Sequence, residues 1–501
     1  MDIFNGLLLG LSTATTFTNF AYCFVGVLLG TAVGVLPGLG PVATISMLLP
    51  FTFGLPVDTA LIMLAGIFYG SQYGGSTTAI LMNLPGEASS VVTALDGHEM
   101  AKQGKAGRAL AAAAIGSFFA GTVGTLFIAI SAPALAGLAL SFGPAEYFSL
   151  ILLGLVTSMV LTNGSLLKAL GMALLGLLLG MIGTDVNSGA ARYTFGLPDL
   201  LDGLDFVVVA TGMFGIGDVL ANLENEKTRN AVVARVETLF PTREDWRRMT
   251  APILRGTGVG VLLGVLPGAG VLLASFSAYA LEKKMSRRSA EFGKGAIEGV
   301  AAPESANNAA AQTSFIPMLT LGLPGTATMA LMIGALIVQG VQPGPEVLSQ
   351  QPTLFWGLVV SMWIGNLLLL LLNLPLVGMW AKLISVPYHY LFPLICVFCA
   401  IGAFSIGNSA FEIYLMALFG ALGYFFRKLN AELTPLLLAL ILGPMAEEYL
   451  RRALLLSHGD ASVFVTSPVS LGTLLIAVGL VVSIVSPRFR KVREEALQET
   501  D

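Results

Sequence analysis

Apolar runs near the twenty residues needed to carry a helix across a bilayer core of about 30 Å recur along the whole chain. They fall near residues 20–50, 57–83, 109–140, 146–163, 166–184, 203–221, 256–281, 305–340, 353–378, 388–408, 411–426, 432–446 and 470–486. Several exceed one simple span and a few are short. The pattern predicts an all-α, polytopic membrane protein of about 12 spans.

Composition sharpens this. Of the 501 residues, 55% are hydrophobic and 11% charged, with a mean hydropathy of +0.82. Soluble proteins carry roughly a quarter charged residues, so this chain lacks the polar residues to coat several water-facing domains. The positive charges orient the spans, because Lys and Arg in short loops stay cytoplasmic. The loop at 222–255 holds Lys227, Arg229, Arg235, Arg243, Arg247, Arg248 and Arg255; Lys283, Lys284, Arg287, Arg288 and Lys294 form a second group. Lys102, Lys105 and Arg108 form a third, and Arg488, Arg490, Lys491 and Arg493 a fourth. All four are expected inside. On this count Arg192, Arg451 and Arg452 fall outside. The predicted organisation is a first membrane repeat at 1–221, a cytoplasmic connector at 222–255 and a second membrane repeat at 256–501. The connector reads as amphipathic cytoplasmic helices or as a plain solvated link.

Leu-Pro-Gly occurs four times, at 36–38, 84–86, 266–268 and 323–325. The first and third share their context, Gly34-Val35-Leu36-Pro37-Gly38-Leu39-Gly40 against Gly264-Val265-Leu266-Pro267-Gly268-Ala269-Gly270. The offsets, 266 − 36 = 230 and 323 − 84 = 239, indicate an internal duplication. Pro removes a backbone donor and Gly permits positive φ, so each motif interrupts a helix. The 256–281 run has Arg255 before it and Lys283-Lys284 after it, and a re-entrant hairpin broken at Pro267-Gly268 satisfies both flanks. Residues 295–342 then run outward, while the matching 57–95 runs inward. The expected plan is two inverted-topology repeats with broken or re-entrant helices, the arrangement of many secondary transporters.

Interrupted helices are tolerated in a bilayer where they line a cavity or bind something. Polar residues flank these interruptions: Ser76, Thr77, Thr78 and Asn83 before the second, Glu87 after it; Glu304, Asn307 and Asn308 before the fourth, Thr326 after it. Half-helix N-termini attract carboxylates and unwound carbonyls attract Na⁺. The candidate substrate or ion site therefore comprises those residues with Pro37, Gly38, Gly40, Pro85, Gly86, Pro267, Gly268, Pro324 and Gly325. Na⁺ is expected near Asn83, Asn307 and Asn308. A single Ser or Thr reads equally as helix-packing glue. Glu87 and Glu304 read as cation ligands or proton carriers, or as caps of half-helices at the membrane edge.

Other classes are excluded or remote. Net charge is −4, without a basic footprint for nucleic acid. There is no G-x-x-x-x-G-K-[ST], hence no ATPase of its own, and no G-x-S-x-G nucleophile elbow. Three histidines lie without metal-ligand spacing. Cys396 and Cys399 sit in an apolar run and read as small residues on a membrane helix. No cofactor is expected, and the N-terminus, without a basic n-region, is expected to be mature sequence.

The motifs resemble a known family. Leu36-Pro37-Gly38-Leu39-Gly40-Pro41, Tyr73-Gly74-Gly75-Ser76-Thr77-Thr78-Ala79-Ile80-Leu81, Asn83, Pro85-Gly86-Glu87 and Asp96-Gly97 are similar to the large membrane subunit of the tripartite tricarboxylate transporters. So are Ala302-Pro303-Glu304-Ser305-Ala306-Asn307-Asn308-Ala309-Ala310, Leu323-Pro324-Gly325, Gly334-Ala335-Leu336 and Pro343-Gly344-Pro345. The resemblance covers nearly the whole chain. It implies a multi-pass protein of the bacterial inner membrane, working with a small membrane subunit and a periplasmic solute-binding protein. It further implies uptake of di- or tricarboxylates, such as citrate, driven by an ion gradient. The spans hold almost no Lys or Arg, so an anionic substrate must be neutralised by helix termini, amides, hydroxyls and bound cations, which favours Na⁺ over H⁺. The alternatives are a channel or passive pore for small organic anions and, more remotely, an intramembrane enzyme.

Overall fold

The computed structural model describes residues 2–36, 39–84, 86–87, 89–160, 165–185, 187–224, 234, 236, 239–266, 270–384, 386 and 388–485. Among the described residues the chain is an all-α membrane protein apart from one short hairpin, in which Gly183 and Thr184 pair antiparallel with Arg192 and Ala191. Among the described residues, five helices are long and apolar enough to cross a membrane: Phe17–Gly34, Ala106–Ala139, Phe206–Glu224, Pro352–Asn373 and Ala410–Lys428. The other apolar helices are shorter, in keeping with a chain interrupted at many points. Phe206–Glu224 contains a π-turn over Thr211–Ile216.

Contacts divide the described residues into two compact units, one from 2–137, 207–266 and 270–425, the other from 138–206 and 426–485. The first unit is organised around two deeply buried helices. In Val57–Met82 every residue from Thr59 onward is buried, and Glu298–Thr313 is buried from end to end. Each is flanked by a helix bearing glycines at a spacing of four. A methyl group on Gly26 or Gly30 would overlap the carbonyl of Met63 or Ile67, and one on Gly34 would press on Ser71. In the second half, methyl groups on Gly256, Gly260 and Gly264 would collide with Ala302, Ala306 and Ala310. The offsets are 230 for the glycines and 239 for their partners, those of the Leu-Pro-Gly motifs. The same helix pair is thus built twice, with backbones brought close by small residues.

Both buried segments stop in the same way. Val57–Met82 ends at Asn83 with φ +55°, and Phe315–Leu321, which continues the Glu298–Thr313 segment, ends at Gly322 with φ +69°. A left-handed residue followed by Leu-Pro-Gly cannot propagate a helix. At the third interruption the chain doubles back. Gly270 lies against Gly264, and farther from the turn Arg255, midway along the first arm, binds Glu282 near the end of the second bidentately, Nε to Oε2 at 2.8 Å and Nη2 to Oε1 at 2.7 Å. Helices Arg243–Gly264 and Gly270–Met285 therefore form a hairpin. The first of them starts in the charged connector at a capping box, Thr242 with Asp245. Arg248 in its second turn clamps Glu298 at 2.8 and 2.7 Å.

The second unit packs Pro144–Val160 and Leu166–Gly180 against Thr434–Leu456, and Pro468–Val485 against Pro144–Val160. A side chain on Gly176 or Gly180 would meet the carbonyls of Leu436 and Leu440. Polar pins join Ser149 to Ser470 at 2.5 Å and Glu146 to Ser467. The hairpin's Arg192 pairs with Glu447 at 2.9 Å, and Arg451 with Asp185 at 3.2 Å. Arg192 and Arg451, two of the three arginines expected on the outer side, thus belong to one ion-pair network, while Arg452 pairs separately with Glu448.

Candidate substrate and ion site

Four helices of the first unit bring polar groups together where the two halves of the sequence meet. Val57–Met82 supplies Tyr73, Ser76 and Thr77, Ser90–Lys102 supplies Thr93, Ala106–Ala139 supplies Ser117, and Glu298–Thr313 supplies Glu304, Asn307 and Asn308. Glu304 is 1% exposed. Its Oε1 accepts from Ser76 Oγ at 2.8 Å and Thr93 Oγ1 at 2.5 Å; its Oε2 accepts from Ser76 Oγ at 2.9 Å and Ser117 Oγ at 3.5 Å. Asn308 Nδ2 donates to Ser117 Oγ at 2.6 Å and to the Glu304 carbonyl at 3.1 Å. That bond leaves the Ser117 proton free to donate to the carboxylate. Among the described residues, Glu304 has no ion pair. A buried carboxylate is costly when unpaired, and here hydroxyl donors from three helices offset the cost.

Glu87 forms the second acidic centre. Its Oε1 accepts from Asn307 Nδ2 at 3.0 Å, and the Gln72 amide, turned to donate, aims its nitrogen at the same carboxylate. Ser90 Oγ donates to the Glu87 carbonyl at 2.8 Å. Asn307 Oδ1 has no partner among the described atoms. The two acids are held by neighbouring residues of one helix, Asn307 on Glu87 and Asn308 through Ser117 on Glu304.

A narrow cavity of about 20 Å³ adjoins Glu304, its polar wall formed by Tyr73, Ser76, Thr77, Ser117, Glu304 and Asn373. That volume accommodates one water-sized species. A tricarboxylate does not fit this conformation. Two roomier clefts of the unit, about 410 Å³ beside Phe53–Val57 and about 580 Å³ beside Arg108 and Phe240, contain no acid in their walls.

Of the residues expected to bind, Ser76, Glu87, Glu304, Asn307 and Asn308 are gathered into these two centres, and Thr77 lines the cavity. Thr78 ties the helices together, donating to the Val35 carbonyl at 2.9 Å. Gly86 packs on Gly75, with Gly40 against its carbonyl, so the first two interruptions meet. Asn83 is exposed at its helix end, and Pro324 and Gly325 are buried before Thr326, which caps Ala327–Val338 by accepting from Met329 N at 3.1 Å. Pro37, Gly38, Pro85, Pro267 and Gly268 lie outside the described residues.

Sequence reasoning overlooked Thr93, Ser117 and Asn373. Thr93 and Ser117 carry no local signal in runs rich in small residues. Asn373 ends an unbroken leucine run, Leu367 to Leu372, where an amide is expensive in a bilayer. Asp96 also acquires a role: fully buried, it accepts from the backbone N–H groups of Gly293, Gly295 and Ala296 at 2.9, 2.9 and 2.8 Å and from Tyr279 Oη at 3.0 Å. It fastens the helix carrying Thr93 to the loop that leads into the helix carrying Glu304.

Comparison with known proteins identifies the family. Residues 20–438 match the family model described as the tripartite tricarboxylate transporter TctA family. Over 501 residues, all of both chains, the sequence is 56% identical to an Agrobacterium vitis protein named "Uncharacterized 52.8 kDa protein in TAR-I ttuC' 3'region". It is 54% identical over 242 residues, 48% of this chain and all of the relative, to "Uncharacterized protein in TAR-II ttuC' 3'region" of the same organism. No solved structure matches. The chain belongs to the TctA family of tripartite tricarboxylate transporters, a family of transporter components and not of enzymes.

Proposed function

We propose that the chain is the translocating subunit of a secondary transporter in the bacterial inner membrane. It receives a di- or tricarboxylate from a periplasmic solute-binding protein, works beside a small membrane subunit, and moves its substrate by alternating access with a Na⁺ or H⁺ gradient. In this reading about 12 spans form two inverted repeats, and the candidate residues around the four interruptions hold substrate and ion.

The observation that carries the proposal is the pair of acids, buried Glu304 and half-buried Glu87, held by neutral donors contributed by both halves. Acids in a membrane interior mark ion pathways by default, and a site shared between two repeats is what rocking of one repeat on the other would open and close. The narrowness of the cavity beside Glu304 supports an occluded carrier over a continuously wet pore.

The test is uptake of labelled organic acids into proteoliposomes holding this chain and its small subunit, supplied with the cognate binding protein. Uptake should require the binding protein and an imposed Na⁺ or H⁺ gradient, and unlabelled substrate inside should accelerate exchange. Gradient-independent, non-saturable flux would replace the carrier by a passive pore.

A further inference from the structure

We infer that the cavity beside Glu304 is a Na⁺ site and that Asn373, at the end of helix Pro352–Asn373, supplies one of its ligands. This deepens the transport reading and rests on it.

The cavity's size is the first argument: about 20 Å³ takes one dehydrated ion or water and no organic acid. Its chemistry is the second. Every polar side chain in the wall presents oxygen, with the Glu304 carboxylate, the Ser76, Thr77 and Ser117 hydroxyls, the Tyr73 phenol and the Asn373 amide; Lys, Arg and His are absent from it. Hard cations take such oxygen sets. The single carboxylate balances one positive charge, and among the described residues no cluster of three His, Cys, Asp or Glu exists that would hold a divalent or transition metal.

Asn373 is the independent observation. It is 7% exposed, its Nδ2 donates to the Leu369 carbonyl at 2.9 Å, and its Oδ1 accepts nothing among the described atoms. A buried amide oxygen left bare costs about 1–3 kcal/mol, which a bound cation removes. The surroundings of Glu304 point the same way: Ser76, Thr93 and Ser117 donate to the carboxylate and Asn308 donates to Ser117, so the acid is ringed by neutral groups and no cationic side chain lines the cavity to balance it. Glu87 and Tyr73 are the ionisable groups nearest to this centre; Glu87 is engaged by Asn307, and Tyr73 Oη reaches Asn366 Oδ1 at 3.4 Å.

The experiment is equilibrium binding of radiolabelled Na⁺ at fixed pH to the full-length chain, purified with its small membrane subunit. The wild type should bind saturably. Asn373→Leu should weaken binding about tenfold or more, Asn373→Asp, which keeps the oxygen, should retain it, and Glu304→Gln should abolish it. Wild-type affinity in either Asn373→Leu or Glu304→Gln, or no Na⁺ binding by the wild type, overturns the assignment. Since Asn373→Leu leaves a mismatched helix end, the Glu304→Gln and Asn373→Asp results decide the matter if that variant does not fold. Organic-acid uptake by the same preparations separates the two levels: gradient-driven uptake without Na⁺ binding here overturns this site alone, whereas Na⁺ binding here with no gradient-driven uptake overturns the transport reading.

Discussion

Asn307 and Glu87 face each other across 3.0 Å, the amide nitrogen of one half of the duplication donating to the carboxylate of the other. Asn307 is 1% exposed and Glu87 half-buried, so the bond is shielded from water on the amide side. A hydrogen bond to a charged group contributes about 1.5–3 kcal/mol, and leaving the acid short of a donor exposes its desolvation cost. Asn307→Ala should therefore lower the unfolding free energy by about 2 kcal/mol in the wild-type background and by much less in Glu87→Gln. A double-mutant cycle on thermal unfolding reads the difference. Additive effects would mean that the two side chains act independently.

Asp96 gives a sharper structural prediction. Three backbone N–H groups and one phenol converge on it. In Asp96→Asn the charge is lost, and an amide that keeps its oxygen on the three N–H groups turns its nitrogen to the Tyr279 hydroxyl, which must then accept instead of donate. The expected loss is about 3 kcal/mol, measured as thermal unfolding in detergent. Tyr279→Phe, which removes one donor while keeping the ring, should cost about 1 kcal/mol. Equal losses in the two variants would refute the central role given to the carboxylate.

These two residues also mark what was legible in the sequence. Hydropathy alone indicated a helical membrane protein, because the bilayer imposes a length and polarity on each crossing that no local detail overrides. Glu87, Glu304, Asn307 and Asn308 stood out because charge and amide are expensive in such runs, and the fold gathers them. Their partners did not stand out. Thr93 and Ser117 resemble dozens of other hydroxyls until tertiary contact sets them against Glu304. Residues 138–206 and 426–485 leave no mark in local pattern that they will pack as one unit. The glycines at 26, 30 and 34 and at 256, 260 and 264 repeat at the offset of the Leu-Pro-Gly motifs, a signal present in the sequence and recognisable once the helix contacts are known.

Those glycines are open to test. A methyl group on Gly260 would overlap the Ala306 carbonyl and approach Ala309 Cβ to 2.7 Å, whereas one on Gly258, two residues away on the same helix, meets nothing within 4 Å. Two packed backbones cannot yield as a side chain does. Gly260→Ala should cost about 2–3 kcal/mol by overpacking, and Gly258→Ala should be neutral or stabilise by about 0.5–1 kcal/mol through helix propensity. Gly30→Ala should behave as Gly260→Ala does. Fluorescence-detected thermal unfolding of the three variants checks the set. Equal stability of the 258 and 260 variants would contradict the close approach.

The hairpin of the second unit carries a pH dependence of known sign. Asp185 Oδ1 accepts from the backbone N–H groups of Asn187 at 2.8 Å and Ser188 at 3.2 Å, and the carboxylate binds Arg451 at 3.2 Å. These contacts, led by the Asn187 N–H, hold its pKa down to about 2. An unfolded aspartate titrates near 3.9, so the native hairpin disfavours protonation. Its stabilisation by this carboxylate is complete above about pH 4 and disappears as pH falls through about 2. Digestion by an acid-active protease, corrected for the enzyme's own pH profile, should cut the 185–192 segment at a constant slow rate from pH 6 to pH 4 and faster below. Asp185→Asn, which cannot ionise, should be cut faster than the wild type above pH 4 and lack the rise specific to this window. Glu447, paired with both Arg192 and Arg451, is unchanged in that variant and supplies the background for any other acid titrating nearby. Superimposable profiles for the two proteins would show that Asp185 does not hold the hairpin.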